Sequence, residues 1–116
     1  MSYDIGRVIS GDNNHSSYAD GVNNVEDWVD KGCPIEKIVL GVPFYARHKT
    51  SRGLPSGSFY DITYGNMSND DPALYYGQSN KGDYYYNGAP LLEQKVDYIM
   101  QAGGVGIMIW EVTIGN

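Results

Sequence analysis

Two stretches of the chain repeat apolar residues at helical spacing, and two others are apolar without interruption. Val22, Val25 and Val29 recur at three- and four-residue intervals with Trp28 beside them, which predicts a helix over about 22–31. Gly32 offers it a left-handed stop and Pro34 forbids continuation. Leu92, Val96, Ile99 and Met100 share one helical face, predicting a second helix over about 90–102 with Pro90 in its first turn and Gly103-Gly104 at its end. Ile38-Val39-Leu40-Gly41-Val42 and "VGIMIW" (105–110) do not alternate. Continuous apolar runs of this length mark strands covered on both faces, as in parallel sheets. Gly106 within the second run implies the close approach of another backbone. A further short strand is expected at Ser2-Tyr3-Asp4-Ile5. The order is strand, helix, strand, helix, strand, which makes two βαβ units with three parallel strands and an α/β fold.

The connections are polar. "GRVISGDNNHSSYADG" (6–21) has no period and reads as a loop. Residues 48–88 form a long Gly- and Tyr-rich connection, within which a helical turn is expected near Phe59–Tyr64, an extended piece at Tyr84–Tyr86 and a turn at Asn87-Gly88.

Composition narrows the class. A chain of 116 residues is one domain, and such a domain buries roughly two-thirds of its unfolded surface. A net charge of −6, with eight scattered Lys and Arg, argues against nucleic acid or an anionic membrane as partner. No apolar run approaches the ~18 residues of a membrane span, and no leader pattern stands in the first 20 residues. The single cysteine, Cys33, cannot form an internal disulfide and reads as a small buried hydrophobe. His15 and His48 lack companions at ligand spacing, so no metal is expected and solvent or loop hydrogen bonding accounts for them. "GGVG" (103–106) lacks the lysine and following helix of a phosphate loop. Asn14-His15-Ser16 and Asn66-Met67-Ser68 are glycosylation sequons, meaningful only in a secreted eukaryotic protein. Eleven tyrosines, clustered at 75–76 and 84–86, fit either packing beneath loops or a sugar-contacting surface.

In parallel α/β sheets ligands bind at the carboxyl ends of the strands. Those ends carry Tyr3 and Asp4, then Tyr45 and Arg47 after Pro43-Phe44, then Trp110 and Glu111. Flat rings beside phenolic, carboxylate and guanidinium groups make a sugar-binding set. The alternative is that these residues simply cap the strands.

"MSYDIG", "VDKGCPIEK", "EKIVLGVPFYAR" and "VGIMIWE" together resemble glycoside hydrolase family 18, the chitinase family. Its sixth strand carries Met-x-Tyr-Asp, its seventh K-[IVL]-x-L-G-[IV]-P-[FT]-Y-[GA]-R and its eighth G-[VIL]-M-[IVL]-W-[ED]. "YYYNG" before the last helix also resembles bacterial members. The resemblance covers nearly the whole chain and implies a fragment of a (β/α)8 TIM barrel, with residues 1–116 a single partial catalytic domain holding strands six to eight and lacking strands one to five. The brevity of the 48–88 connection implies that the larger α+β insertion of some members is absent, leaving a shallower groove.

Family 18 enzymes cleave β-1,4 bonds next to N-acetylglucosamine by a substrate-assisted route, an exception to the two-carboxylate scheme. The resemblance implies that Tyr3 hydrogen-bonds the acetamido group, that Asp4 orients it, and that Met1 packs beside its methyl. By the same matching Trp110 forms the apolar floor under the sugar, and Tyr45 and Arg47 line the neighbouring subsite. Chitin or an N-acetylglucosamine oligosaccharide is the implied partner, no cofactor is implied, and the full-length parent is expected in a secreted or cell-envelope setting. The family's D-x-x-D-x-D-x-E acid motif does not occur. Asp27 and Asp30 have its first spacing but sit on a helix and read as a solvated face, and Glu111 is not the family's proton donor. The chain alone is therefore expected to be inactive, since losing a general acid costs ~10²–10⁴ in rate. The alternatives are part of a non-catalytic, lectin-like relative and a stand-alone remnant without sugar function. Three parallel strands cannot close a barrel, and their open edges lead us to expect self-association.

Overall fold

The computed structural model describes residue 3 and residues 11–49, 62–63 and 76–110. The expected opening strand lies outside these residues except for Tyr3.

The first helix, α1, spans Tyr18–Asp30 and so begins within the stretch read as a loop. Its start is set by a reciprocal cap. Ser17 Oγ accepts from the Asp20 backbone N–H at 3.1 Å, and the Asp20 carboxylate accepts from the Ser17 backbone N–H at 3.2 Å. Ser-x-x-Asp is the sequence signature of this box, and it starts five residues before the apolar period at Val22. At the other end Gly32 adopts φ +96°, and the Cys33 N–H reaches back to the Trp28 carbonyl at 3.0 Å, closing the helix as its glycine implied. Val25 is buried, whereas Val29 and Trp28 are 42% and 59% exposed, so the inward stripe is narrower than the valine spacing predicts. Asp27 and Asp30 are exposed, as expected of a solvated face. Cys33 is half-buried at the edge of the core rather than enclosed.

A short 3₁₀ turn over Ile35–Lys37 leads into β1, Val39–Pro43. The second long helix, α2, spans Ala89–Ala102, and after it β6 spans Gly106–Trp110. β1 and β6 pair in parallel, with Val39 beside Gly106 and Pro43 beside Trp110. The expected turn at Asn87-Gly88 is instead the approach to α2, with Gly88 as its extended N-cap. Val25, Ile38, Leu40 and Ile99 form the core between the helices and β1. Met100, predicted to face inward, is 56% exposed, and the buried face of α2 runs through Leu92, Lys95 and Ile99.

Close backbone approach occurs at Gly104, not Gly106. A Cβ on Gly104 would lie 2.6 Å from Ile99 Cδ1 and 3.2 Å from the Ile38 carbonyl oxygen, whereas one on Gly106 would meet nothing within 4 Å. Gly106 is required for its φ of +152° instead. Gly104→Ala is expected to lower stability by about 1–3 kcal/mol through overpacking, read from the urea midpoint.

The connection after β1 holds structure that periodicity did not announce. β2 (Tyr45–His48), β3 (Ile62–Thr63), β4 (Asn80–Lys81) and β5 (Tyr84–Tyr85) form an antiparallel sheet in the order β3-β2-β5-β4. Ile62–Thr63 is thus a strand where a helical turn was expected, while the extended piece at Tyr84 is present. Gly82, at φ +58°, starts the two-residue link between β4 and β5.

Candidate functional site

Pro43 and Trp110 stand side by side at the carboxyl end of the parallel pair. The chain then bends at Phe44, and Tyr45 begins β2. Tyr45 and Arg47 therefore do not extend the parallel strand. They lie on the antiparallel sheet, where Tyr45 pairs with Thr63 and Arg47 with Tyr85.

Tyr45 is the hub of an aromatic cluster. Its ring meets Tyr3 edge-on, with centroids 6.2 Å apart at 82°. On it stacks His15, at 5.3 Å and 28°. The Arg47 guanidinium carbon lies 5.9 Å from the Tyr45 ring centroid. Tyr3 is half-buried, while Tyr45 and Arg47 are 0% and 3% exposed. The sequence-predicted residues Tyr3, Tyr45 and Arg47 are thus brought together, and Trp110 is placed at the same end by its backbone register. Met1, Asp4 and Glu111 lie outside the described residues.

Two residues of this region have surroundings that the sequence did not announce. His15, expected in solvent or in a loop hydrogen bond, is fully buried against Tyr45. Its loop is built from successive Asx contacts: the Asn14 N–H donates to Asp12 Oδ1 and the Ser16 N–H to Asn14 Oδ1, each at 2.9 Å. The Asp-x-Asn-x-Ser spacing was the available signal. Asn14 is itself 3% exposed and donates through Nδ2 to the Tyr86 carbonyl at 2.6 Å, so its sequon is closed to modification in this fold. His48 remains at the surface side of β2, near Asp83 at 3.9 Å.

The second is Lys95, which is 1% exposed. Its Nζ donates to the Ser16 carbonyl at 2.7 Å, to Ser16 Oγ at 2.8 Å and to Asn87 Oδ1 at 2.5 Å, using all three ammonium hydrogens. Burial lowers its pKa to about 7, against the opposing pull of the Asp20 and Asp12 carboxylates. Among the described residues no group of three or more His, Cys, Asp or Glu is placed to hold a metal ion. Nor is any helix among them long and apolar enough to cross a membrane.

Parallel α/β sheets as a class bind ligands at the carboxyl ends of their strands, and the Tyr45 cluster follows directly on that end of β1. The particular family is shown by comparison: the profile of Glycosyl hydrolases family 18 matches residues 1–114, and the chain belongs to that family. It is 34% identical to the GH18 chitinase ChiB from the chitin utilization locus of Flavobacterium johnsoniae, with a TM-score of 0.75 over 98% of this chain and 35% of that one. A chitinase from Bacteroides thetaiotaomicron is 29% identical at a TM-score of 0.73, over 98% and 37% of the two chains. A class V chitinase of Arabidopsis thaliana is 28% identical over 79% of this chain and 31% of its own length. The chain spans about a third of the length of these relatives.

Proposed function

We propose that this chain supplies strands six to eight of a chitinase-type (β/α)8 barrel, and with them the acetamido-positioning side of a glycan site. The observation that carries the reading is the contact between Tyr3 and Tyr45, two motif tyrosines 42 positions apart whose rings meet at 6.2 Å. Family membership and the likeness to two chitinase structures support it.

In this reading Tyr3 donates its hydroxyl to the acetamido carbonyl of the sugar, and Asp4 orients the amide. The carbonyl oxygen attacks the anomeric carbon as the glycosidic bond breaks, giving an oxazolinium ion that water opens. Trp110 is the apolar floor. Tyr45 and Arg47 are buried, so they act from beneath, Tyr45 against the Tyr3 ring and Arg47 against Tyr45, rather than forming the sugar-facing surface. The proton for the leaving oxygen comes from a carboxylic acid that these 116 residues do not carry in the family's motif. The chain by itself binds glycan without cleaving it. Met108 and Ile109, 41% and 36% exposed on a parallel strand, are surface that the remaining barrel would cover and that promotes self-association here.

The test is titration with chitotriose, followed by tryptophan fluorescence and by product analysis. A saturable change without products is expected, and Tyr3→Phe should weaken it by about 3–10-fold through loss of one hydrogen bond. A flat titration would favour a remnant without sugar function. Hydrolysis by the chain alone would overturn its expected inactivity.

A further inference from the structure

Lys95 occupies a place where the helix pattern calls for an apolar residue, three positions after Leu92 and four before Ile99 on the buried face of α2. A lysine so placed usually bends its ammonium out to water. This one instead points into the loop before α1 and spends each of its hydrogens on a protein acceptor. Two of the three bonds go to Ser16, 79 positions away in the chain. The third goes to Asn87, whose Nδ2 turns back to the same Ser16 carbonyl at 3.0 Å. Ser16 is therefore gripped from α2 and from the segment leading into it.

The neighbour of Ser16 is His15, whose ring lies flat against Tyr45. On the far side of His15, Asn14 is tied to the Tyr86 carbonyl. The histidine is thus held between two anchored residues, and its ring backs the tyrosine that touches Tyr3. The stem of Lys95 passes close to α1: a Cβ on Gly21 would lie at ordinary contact distance from it, 3.7 Å from Lys95 Cε and 3.6 Å from Leu40 Cδ2.

We propose that Lys95 is a positioning residue for the glycan site: by clamping Ser16 it sets His15 against Tyr45 and so fixes the ring that backs Tyr3. The inference rests on the proposed glycan reading of that cluster. A lysine serving only to tie α2 to the loop would affect stability and leave the ring geometry and the sugar affinity alone.

The experiment compares the wild-type chain with Lys95→Met, which keeps the stem and removes the donors, and with Ser16→Ala, which removes one acceptor and keeps the backbone carbonyl. Each is measured where it is fully folded, by the ring-proton resonances of His15 and Tyr45 and by the dissociation constant for chitotriose. Displaced catalytic and binding groups cost up to ~10²-fold. A loosened backing ring should therefore raise the dissociation constant about tenfold in Lys95→Met and about threefold in Ser16→Ala, with the ring resonances moving toward unstacked values. If Lys95→Met fails to fold, Ser16→Ala decides by the same two readings. Unchanged resonances and affinity in a folded variant would overturn the proposal. If the wild type does not bind chitotriose, the glycan reading fails, and the clamp is then judged by the ring resonances alone.

Discussion

Tyr45→Ala should destabilise this chain by about 3–5 kcal/mol, the range for truncating a fully buried aromatic side chain. Tyr45 is 0% exposed and carries ring contacts to Tyr3, His15 and Arg47 at once. The alanine would leave a cavity that β2 cannot fill, because β2 is held on both sides by β3 and β5. Small domains are stable by only about 5–15 kcal/mol, so the loss would be a large share of the total. Tyr45→Phe keeps the ring and every centroid contact, and should cost no more than about 1.5 kcal/mol through its hydroxyl. Urea denaturation of the two variants checks the difference. Equal, small losses in both would show that the ring is not the hub the geometry describes.

The second large effect is a dependence of stability on pH above neutrality. Lys95 has a pKa of about 7 in the folded chain, against 10.5 for a free lysine, because its ammonium is buried. Between those values the unfolded chain holds a proton that the folded chain has released, so stability rises with pH. The contribution is fully present above the unfolded pKa and is lost as pH falls through about 7. Each unit of separation is worth about 1.4 kcal/mol, so roughly 2 kcal/mol should appear between pH 7 and 9 and about 4–5 kcal/mol over the whole window. Urea midpoints of wild type and Lys95→Met at pH 7, 8 and 9 isolate the lysine. The wild type should gain on the variant as pH rises. Parallel curves would mean that the ammonium is better solvated than its three-acceptor cage implies.

The Lys95 cage also shows why the candidate site was only partly legible beforehand. Tyr3, Tyr45, Arg47 and Trp110 were singled out by motif and strand direction, and Tyr3, Tyr45 and Arg47 do come together, although Tyr45 and Arg47 lie on the antiparallel sheet. His15 and Lys95 were not singled out, because each is defined by partners far along the chain. Lys95 sits beside Ser16 across 79 positions, and no local pattern distinguishes a lysine that finds buried acceptors from one that reaches water. The start of α1 was missed for a different reason: Ser17 and Asp20 carry the cap, but the apolar period used to place the helix begins only at Val22.

The amino-acid order alone determined the two helices, their glycine stops, the two apolar strands and the family, since helical period, left-handed caps and motif residues are properties of neighbouring positions. The tertiary structure alone decided that the chain turns at Phe44 into an antiparallel sheet, that Tyr45 and Arg47 are buried, and that Lys95 grips the loop carrying His15. Strand partners and buried polar contacts join residues separated by long connections. Their free energy depends on what packing brings together, and no single segment encodes that.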